Sequence, residues 1–250
     1  AHRWDIYEEE HLYQYLPFRK FLFSQLNAIF SISLDGVNYL KTKGANRVKL
    51  SRLGTIQDKK INDGDQGETL NIISVSYLIK RKRISLLLDA IALLDREGIK
   101  IKWTHFGDGP ELSSLQIRSK NLKHIVADFK GFISNEVLLQ WMSENANSSL
   151  LVNLSESEGI PVSMMEAMSF GIPCIGTEVG GVAEIIEESK NGFLLSPVPS
   201  AQEVVYKLSL YNDLSKEDKT LMKKYALSYW QERYNAETNF KGFCAELLAL

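Results

Sequence analysis

The sequence predicts an α/β fold: a Rossmann-like parallel sheet with helices on both faces, preceded by a smaller α/β unit. Three observations carry that prediction. From Leu70 onward, apolar runs of strand length alternate with amphipathic segments of helix length, the pattern of successive βα units. Glycine or proline punctuates the boundaries, as at Gly98, Pro110, Pro161 and Gly171. Finally, 250 residues with 44% hydrophobic and 24% charged content form an ordinary globular chain, with room for one large or two modest domains.

AHRWDIYEEEHLYQYLPFRKF (1–21) is rich in aromatics and charges and begins mid-pattern, so the chain reads as a piece of something longer. Residues 18–28 read as a helix, with Phe21, Leu22, Gln25 and Leu26 at helical spacing. AIFSIS (28–33) follows as a short strand, 35–43 as a helix closed by Gly44, and RVKLSRLGT as an outward strand. The polar stretch QDKKINDGDQGET (57–69) has loop composition and is the hinge between domains. The expected division is residues 1–66 for the smaller unit with its hinge and 67–228 for the main domain, with 229–250 as a C-terminal helical segment.

The main domain opens with a buried strand at 71–78. A helix at 84–97 turns Leu87, Leu88, Ile91 and Leu94 to the sheet and stops at Gly98. IKIKWTHFG (99–107) reads as a strand alternating with period two, ending in the turn GDGP (107–110). A helix at 110–119, a strand within 124–132, a helix at 135–143 and a strand at 149–154 follow. Beyond them come a strand at 173–177, the loop EVGG, a helical turn at 183–187 and the short strand GFLL (192–195). Helices at 201–211 and 216–229 lead into an amphipathic tail. Right-handed crossovers would bring every βα loop to one edge of the sheet.

The stretch ESEGIPVSMMEAMSFGIP (156–173) organises the rest. It lies after the strand at 149–154, so its loop sits at a strand's carboxyl end, where open α/β sheets bind ligands. Pro161 suits the first helical turn, and Gly171 suits the stop. The amides of Gly159, Ile160 and Val162 lie at a helix start, where free N–H groups and a positive dipole favour an anion. Glu158 and Glu166 frame this loop, about 7–8 Å of helix rise separating Pro161 from Glu166. Two carboxylates so placed can hold hydroxyl groups of one extended ligand such as a sugar nucleotide. Alternatively, Glu158 merely complements the dipole and Glu166 faces solvent, with Val162, Met165 and Ser169 as the buried stripe. Likewise Lys80 to Arg83 can neutralise a diphosphate or form a solvated turn.

The motif EG-x-P followed by EAM-x-x-G-x-P, with seven residues between Glu158 and Glu166, resembles the signature of retaining GT-B glycosyltransferases, in particular family 4 (glycosyl transferases group 1). The resemblance runs through most of residues 68–250. It implies a donor domain at 67–228, a remnant of the acceptor-binding domain at 1–66, and a C-terminal helix (229–250) returning toward the N-terminal part. Trp230, Tyr234, Phe240 and Phe243 are candidates for contacts with residues 1–56. In the implied reaction, a hexose moves from a nucleotide-sugar, UDP- or GDP-linked first, to a sugar or lipid-linked acceptor hydroxyl with retention. Glu166 would hold the ribose, Glu158 the donor sugar, and Lys82 the diphosphate, with the Gly159 and Ile160 amides adding stabilisation. Gly107 in the GDGP turn, the Phe132–Ile133 main chain and Gly180–Gly181 of TEVGG match further donor-binding positions. One position departs from the pattern: Tyr77 stands where an arginine is usual, leaving Arg81 or Arg83 to supply the second cation. His2 and Asp5 resemble an H-x-x-D pattern at the domain cleft, although an exposed histidine at a chain end is the favoured explanation.

Composition limits the partners. A net charge of −2 leaves no footprint for nucleic acid. Two cysteines are too few for a disulfide framework or zinc site, and Cys174 reads as a core thiol. No metal or cofactor is expected, because cations and a helix end carry the charge. No apolar run reaches the ~20 residues of a spanning helix. The resemblance suggests a cytoplasmic protein in polysaccharide assembly, possible at the inner membrane face, although the basic run 80–83 is too short to establish a membrane contact. Two other readings stay open: a nucleotide-sugar-binding module that transfers nothing, and a sugar-nucleotide epimerase, which would need a histidine in the cleft.

Overall fold

In the structure, a computed structural model, residues 6, 7, 16, 18–62 and 69–250 are described. The smaller unit contains α1 (Arg19–Gln25), β1 (Ile29–Ser31), α2 (Leu34–Thr42) and β2 (Val48–Leu50), with β1 and β2 paired in parallel. The pair His2 and Asp5, and residues 63–68 of the expected hinge, lie outside the described residues.

The main domain is a six-stranded, wholly parallel sheet ordered β5-β4-β3-β6-β7-β8. Its strands are β3 (Leu70–Val75), β4 (Ile101–Phe106), β5 (Ile125–Phe129), β6 (Ser149–Asn153), β7 (Cys174–Thr177) and β8 (Gly192–Leu195). The chain steps outward from β3 through β4 to β5, then returns to lay β6 against the other side of β3. That reversal puts the topological switch point between β3 and β6. Helices α3 (Ile84–Arg96), α4 (Leu112–Ser119), α5 (Asn135–Asn145), α6 (Val162–Ser169) and α7 (Val182–Ile185) connect the strands, and α8 (Ala201–Asn212), α9 (Lys216–Arg233) and α10 (Ala236–Leu248) follow the last strand.

Alternate strand residues feed two cores. Ile72, Trp103, Leu150 and Val152 pack with Leu87, Leu88, Ile91 and Leu94 of α3 and with Val204 and Leu208 of α8. Their neighbours Ile73, Phe106 and Leu151 face the other way, against α5, α6 and α9. Burying one such side chain stabilises by about 1.5–3 kcal/mol, so the double coverage dominates the domain's energetics. Cys174 is buried, and desolvation pushes its thiol pKa far up, as a core thiol requires.

Several local expectations need correction. The strand β4 does not alternate in burial: every residue except Lys102 is buried, because helices cover both faces. β3 ends at Val75 rather than residue 78, and α4 starts at Leu112, after a turn through Pro110 and Glu111. Pro161 is the N-cap of α6, not its first helical residue; its ψ of 120° is extended, and its carbonyl already accepts from Met164 and Met165. Val162 is exposed, while Met164, Met165 and Met168 are buried. α9 runs on to Arg233, and the break from α10 falls at Tyr234 and Asn235, where the Asn235 side chain caps α10. Gly44, Gly98 and Gly171 do stop their helices, each at positive φ.

Candidate active site

The loops after β3 and β6 meet at the switch point. After β3 the chain makes a 3₁₀ turn (Lys80–Lys82), and Arg83, in the left-handed region at φ 49°, starts α3. This turn swings Lys82 over the sheet edge, where its Nζ donates to Glu158 Oε1 at 2.6 Å. Both side chains are partly shielded from water, at 21% and 14% exposure, which strengthens the pair relative to a surface ion pair. Asn153, the last residue of β6, donates to the same oxygen at 3.3 Å. Thus the sheet's crevice holds an ammonium against a carboxylate, and both come from strand-end loops.

The basic run divides. Arg83 is committed to Glu156 Oε1 at 3.3 Å and to the Pro197 carbonyl at 2.9 Å. Arg81 is exposed, and its carbonyl accepts from the Glu156 amide at 2.9 Å. Of the two arginines offered as the second cation, Arg83 is held by structural partners and Arg81 stands at the surface. Tyr77 is also exposed. Ser76 and Ser157 carry hydroxyls buried without a hydrogen-bond partner, so polar capacity is left over on both switch-point loops.

Glu166 is buried, which corrects the solvent-facing alternative. The Asn135 side chain donates to its Oε1 at 2.7 Å, and burial pushes its pKa up against that hydrogen bond. Asn135 opens α5, directly after the loop carrying Phe132 and Ile133. The Phe132 ring is 86% exposed, while Ile133 packs partly into the core. Hence the second carboxylate sits beside the β5–α5 loop. Gly107, at φ 137°, donates its amide to the Gly131 carbonyl at 2.9 Å, and a Cβ there would fall 1.9 Å from the Ser76 carbonyl oxygen. Only glycine lets the β3, β4 and β5 loop backbones converge this closely. Gly181 donates to the Gly159 carbonyl at 2.8 Å, and Thr177 Oγ1 donates to the Ser155 carbonyl at 2.5 Å, tying the TEVGG loop to the β6 loop. Gly180 is exposed.

Asn135, Asn153 and His105 were not singled out from the sequence. Asn153 ends an apolar run and Asn135 begins a helix, positions where asparagine is commonplace. His105, at the end of β4, lies beneath the β3 loop. Its Nε2 donates to the Ser76 carbonyl at 3.1 Å, so Nδ1 accepts from Ser74 Oγ at 2.8 Å, and Ser74 in turn accepts from Trp103 Nε1 at 2.9 Å. Burial lowers its pKa to about 4. A neutral, buried imidazole with both nitrogens engaged is a brace for the loop. A hollow of about 570 Å³ at Asp95, Arg118 and His124 lies far from these loops, and the Asp95 carboxylate there is taken up by the Lys123 and His124 amides. Among the described residues no group of three His, Cys, Asp or Glu side chains is arranged to hold a metal ion, and no helix is long and apolar enough to cross a membrane.

Known proteins resemble most or all of this chain. It is 28% identical over 260 aligned residues to the putative colanic acid biosynthesis glycosyltransferase WcaL of Escherichia coli K12, covering 100% of this chain and 63% of that protein. The amylovoran biosynthesis glycosyltransferase AmsK of Erwinia amylovora is 30% identical over 192 residues, 72% of this chain and 46% of its own. The chain therefore spans between about half and under two-thirds of these relatives. The crystal structure of Anabaena HepE in complex with UDP and glucose superposes with a TM-score of 0.73 at 18% identity, over 89% of this chain and 63% of that one. The pneumococcal O-GlcNAc transferase GtfA, solved with UDP and GlcNAc, gives 0.71 at 20% identity, over 94% and 48%. These likenesses establish the GT-B type of fold. The model of the glycosyl transferases group 1 family matches residues 56–227, more than half of the chain, and the chain belongs to that family.

Proposed function

We propose that the chain forms the donor side of a retaining glycosyltransferase that moves a hexose from a UDP- or GDP-sugar to an acceptor hydroxyl in polysaccharide or glycoconjugate assembly. The single observation carrying this reading is the Lys82–Glu158 pair at the switch point, beside the α6 start, whose N-cap Pro161 makes no side-chain cap hydrogen bond. Lys82 offers its charge to the diphosphate, and Glu158 accepts from the sugar hydroxyls. Glu166, beside the Phe132–Ile133 loop, accepts from the ribose hydroxyls. The Gly159 and Ile160 amides, and the Gly107 and Gly180–Gly181 backbones, line the path between. As the bond from C1 to the diphosphate oxygen breaks, its electron pair passes to the leaving group, the acceptor oxygen bonds to C1, and the acceptor hydroxyl's proton passes to the leaving diphosphate. A fixed ammonium and oriented amides stabilise that growing charge without reorganising. The relatives named for colanic acid and amylovoran biosynthesis, and the neighbours solved with UDP, support the substrate class.

A thermal-shift screen against UDP, GDP and ADP and their sugars tests the reading. One nucleotide should raise the melting temperature, and Glu166→Ala should abolish that rise. An unchanged rise in the variant would remove Glu166 from the site. A second reading, donor binding without transfer by this chain, is supported by its spanning 46–63% of the relatives' length. Calorimetric titration followed by a sugar-release assay separates the two, since binding with no release selects the second.

A further inference from the structure

We infer that Glu184 is a positioning residue that clasps the β1–α2 turn onto the donor loops, so that a nucleotide in those loops is felt at Leu34 and Asp35. Only the second half, the coupling, rests on the donor reading above.

The clasp is a carboxylate gripping two backbone amides from across the fold. Glu184 Oε2 accepts from the Leu34 amide at 2.8 Å and Oε1 from the Asp35 amide at 3.0 Å, spanning 150 and 149 residues of sequence. These are the first amides of α2, which lack intrahelical partners and carry the positive end of its dipole. Ser33 accepts from the next amide, Gly36, at 3.0 Å. Arg52, on the segment after β2, brings Nη2 to 3.6 Å from Glu184 Oε2, and the Glu184 side chain is only 12% exposed.

Glu184 is itself immobilised from the donor side. Its carbonyl accepts from the Tyr229 hydroxyl at 2.8 Å and the Tyr234 hydroxyl at 3.1 Å, and its amide donates to the Gly181 carbonyl at 3.1 Å. One step further, Gly181 donates to the Gly159 carbonyl, and a Cβ on Gly181 would lie 2.5 Å from that oxygen, so the two donor loops touch backbone to backbone. Ile32, next to the clasped turn, comes within 3.7 Å of where a Gly159 Cβ would sit. A continuous path therefore runs from Glu158–Gly159 through Gly181 and Glu184 to Leu34–Asp35, and the Ile32 side chain closes the circuit over Gly159. A shift of the Gly159 and Gly181 backbones around a diphosphate is transmitted to the turn along this path.

Residue-level amide hydrogen exchange on the 250-residue chain, with and without UDP, tests this. In the wild type, Leu34 and Asp35 should be protected, and saturating UDP should slow them threefold or more. In Glu184→Ala both amides should exchange at least tenfold faster, while Leu40 within α2 and Leu151 in the core stay unchanged. The variant's calorimetric Kd for UDP should remain within threefold of wild type, and the UDP effect on the two amides should vanish. Glu184→Gln keeps an oxygen acceptor and should restore part of the protection. It also serves as the test variant should Glu184→Ala speed exchange at Leu151 and so betray general unfolding. Unchanged exchange at Leu34 and Asp35 in the variants overturns the clasp, and a UDP effect that survives them overturns the coupling. A wild-type chain that binds no UDP overturns the donor reading and the coupling with it, while the ligand-free rates still decide the clasp.

Discussion

At Glu166 a carboxylate is held out of water by the packing of α6, with one side-chain hydrogen bond from Asn135 and a pKa pushed up by burial. A raised carboxylate pKa means that ionised Glu166 costs stability at neutral pH and that the cost falls as the pH drops. Glu166→Gln should therefore leave the ligand-free chain as stable as wild type or up to about 1 kcal/mol more so, by urea midpoint, while weakening nucleotide binding. His105 works in the other direction. Its folded pKa of about 4 lies below the unfolded value of 6.5, so the unfolded chain binds the extra proton between them. The stability it contributes is complete above about pH 6.5 and lost as the pH falls toward 4, in all roughly 3 kcal/mol. His105→Gln should flatten the acid side of the stability profile over that window; an unaltered slope would mean another group governs it. Glu158 and Glu166 could be singled out from residue type and spacing, whereas Lys82 came from the family resemblance, because the basic run 80–83 by itself reads as a solvated turn. Asn135 could not, because nothing local distinguishes a helix-opening asparagine that reaches a carboxylate from one that does not.

The helix α6 is the element on which the candidate site turns. Its start is set by Pro161 as N-cap and its end by Gly171, at φ 71° with a Cβ position 3.2 Å from the Lys223 carbonyl oxygen. Gly171→Ala therefore combines a left-handed backbone with a crowded contact and should destabilise by about 1–3 kcal/mol in denaturant melts. Met165→Ala opens space in a fully buried position and should cost about 2–5 kcal/mol. Both ends of α6 were readable from the proline and glycine. That the helix is buried nearly all round was not, since its own sequence cannot say that α9 lies across its outer side.

On the scale of the whole molecule, the C-terminal segment joins the two sheets. Trp230 Nε1 donates to Thr55 Oγ1 at 2.8 Å, the Thr55 amide donates to the Tyr234 carbonyl at 2.9 Å, and Phe243 packs edge-on against Phe30 with centroids 5.0 Å apart. Phe240 lines a groove of about 540 Å³ with Phe30 and Ile32. Trp230→Phe keeps the ring burial and removes the donor, so it should cost about 1 kcal/mol and raise exchange of the Thr55 amide. Ligand linkage belongs at this scale too: UDP at one hundred times its Kd should stabilise the chain by about 2.7 kcal/mol. By itself, the sequence determined the alternation of strands and helices, the parallel sheet and the loop carrying Glu158 and Glu166, because periodicity and the punctuation of glycine and proline act locally along the chain. Only the tertiary structure decided that β6 returns beside β3, that Lys82 therefore meets Glu158, and that Glu184 reaches Leu34 and Asp35. Those partners stand 76 to 150 residues apart, and their pairing follows from how whole elements pack, which no window of sequence contains.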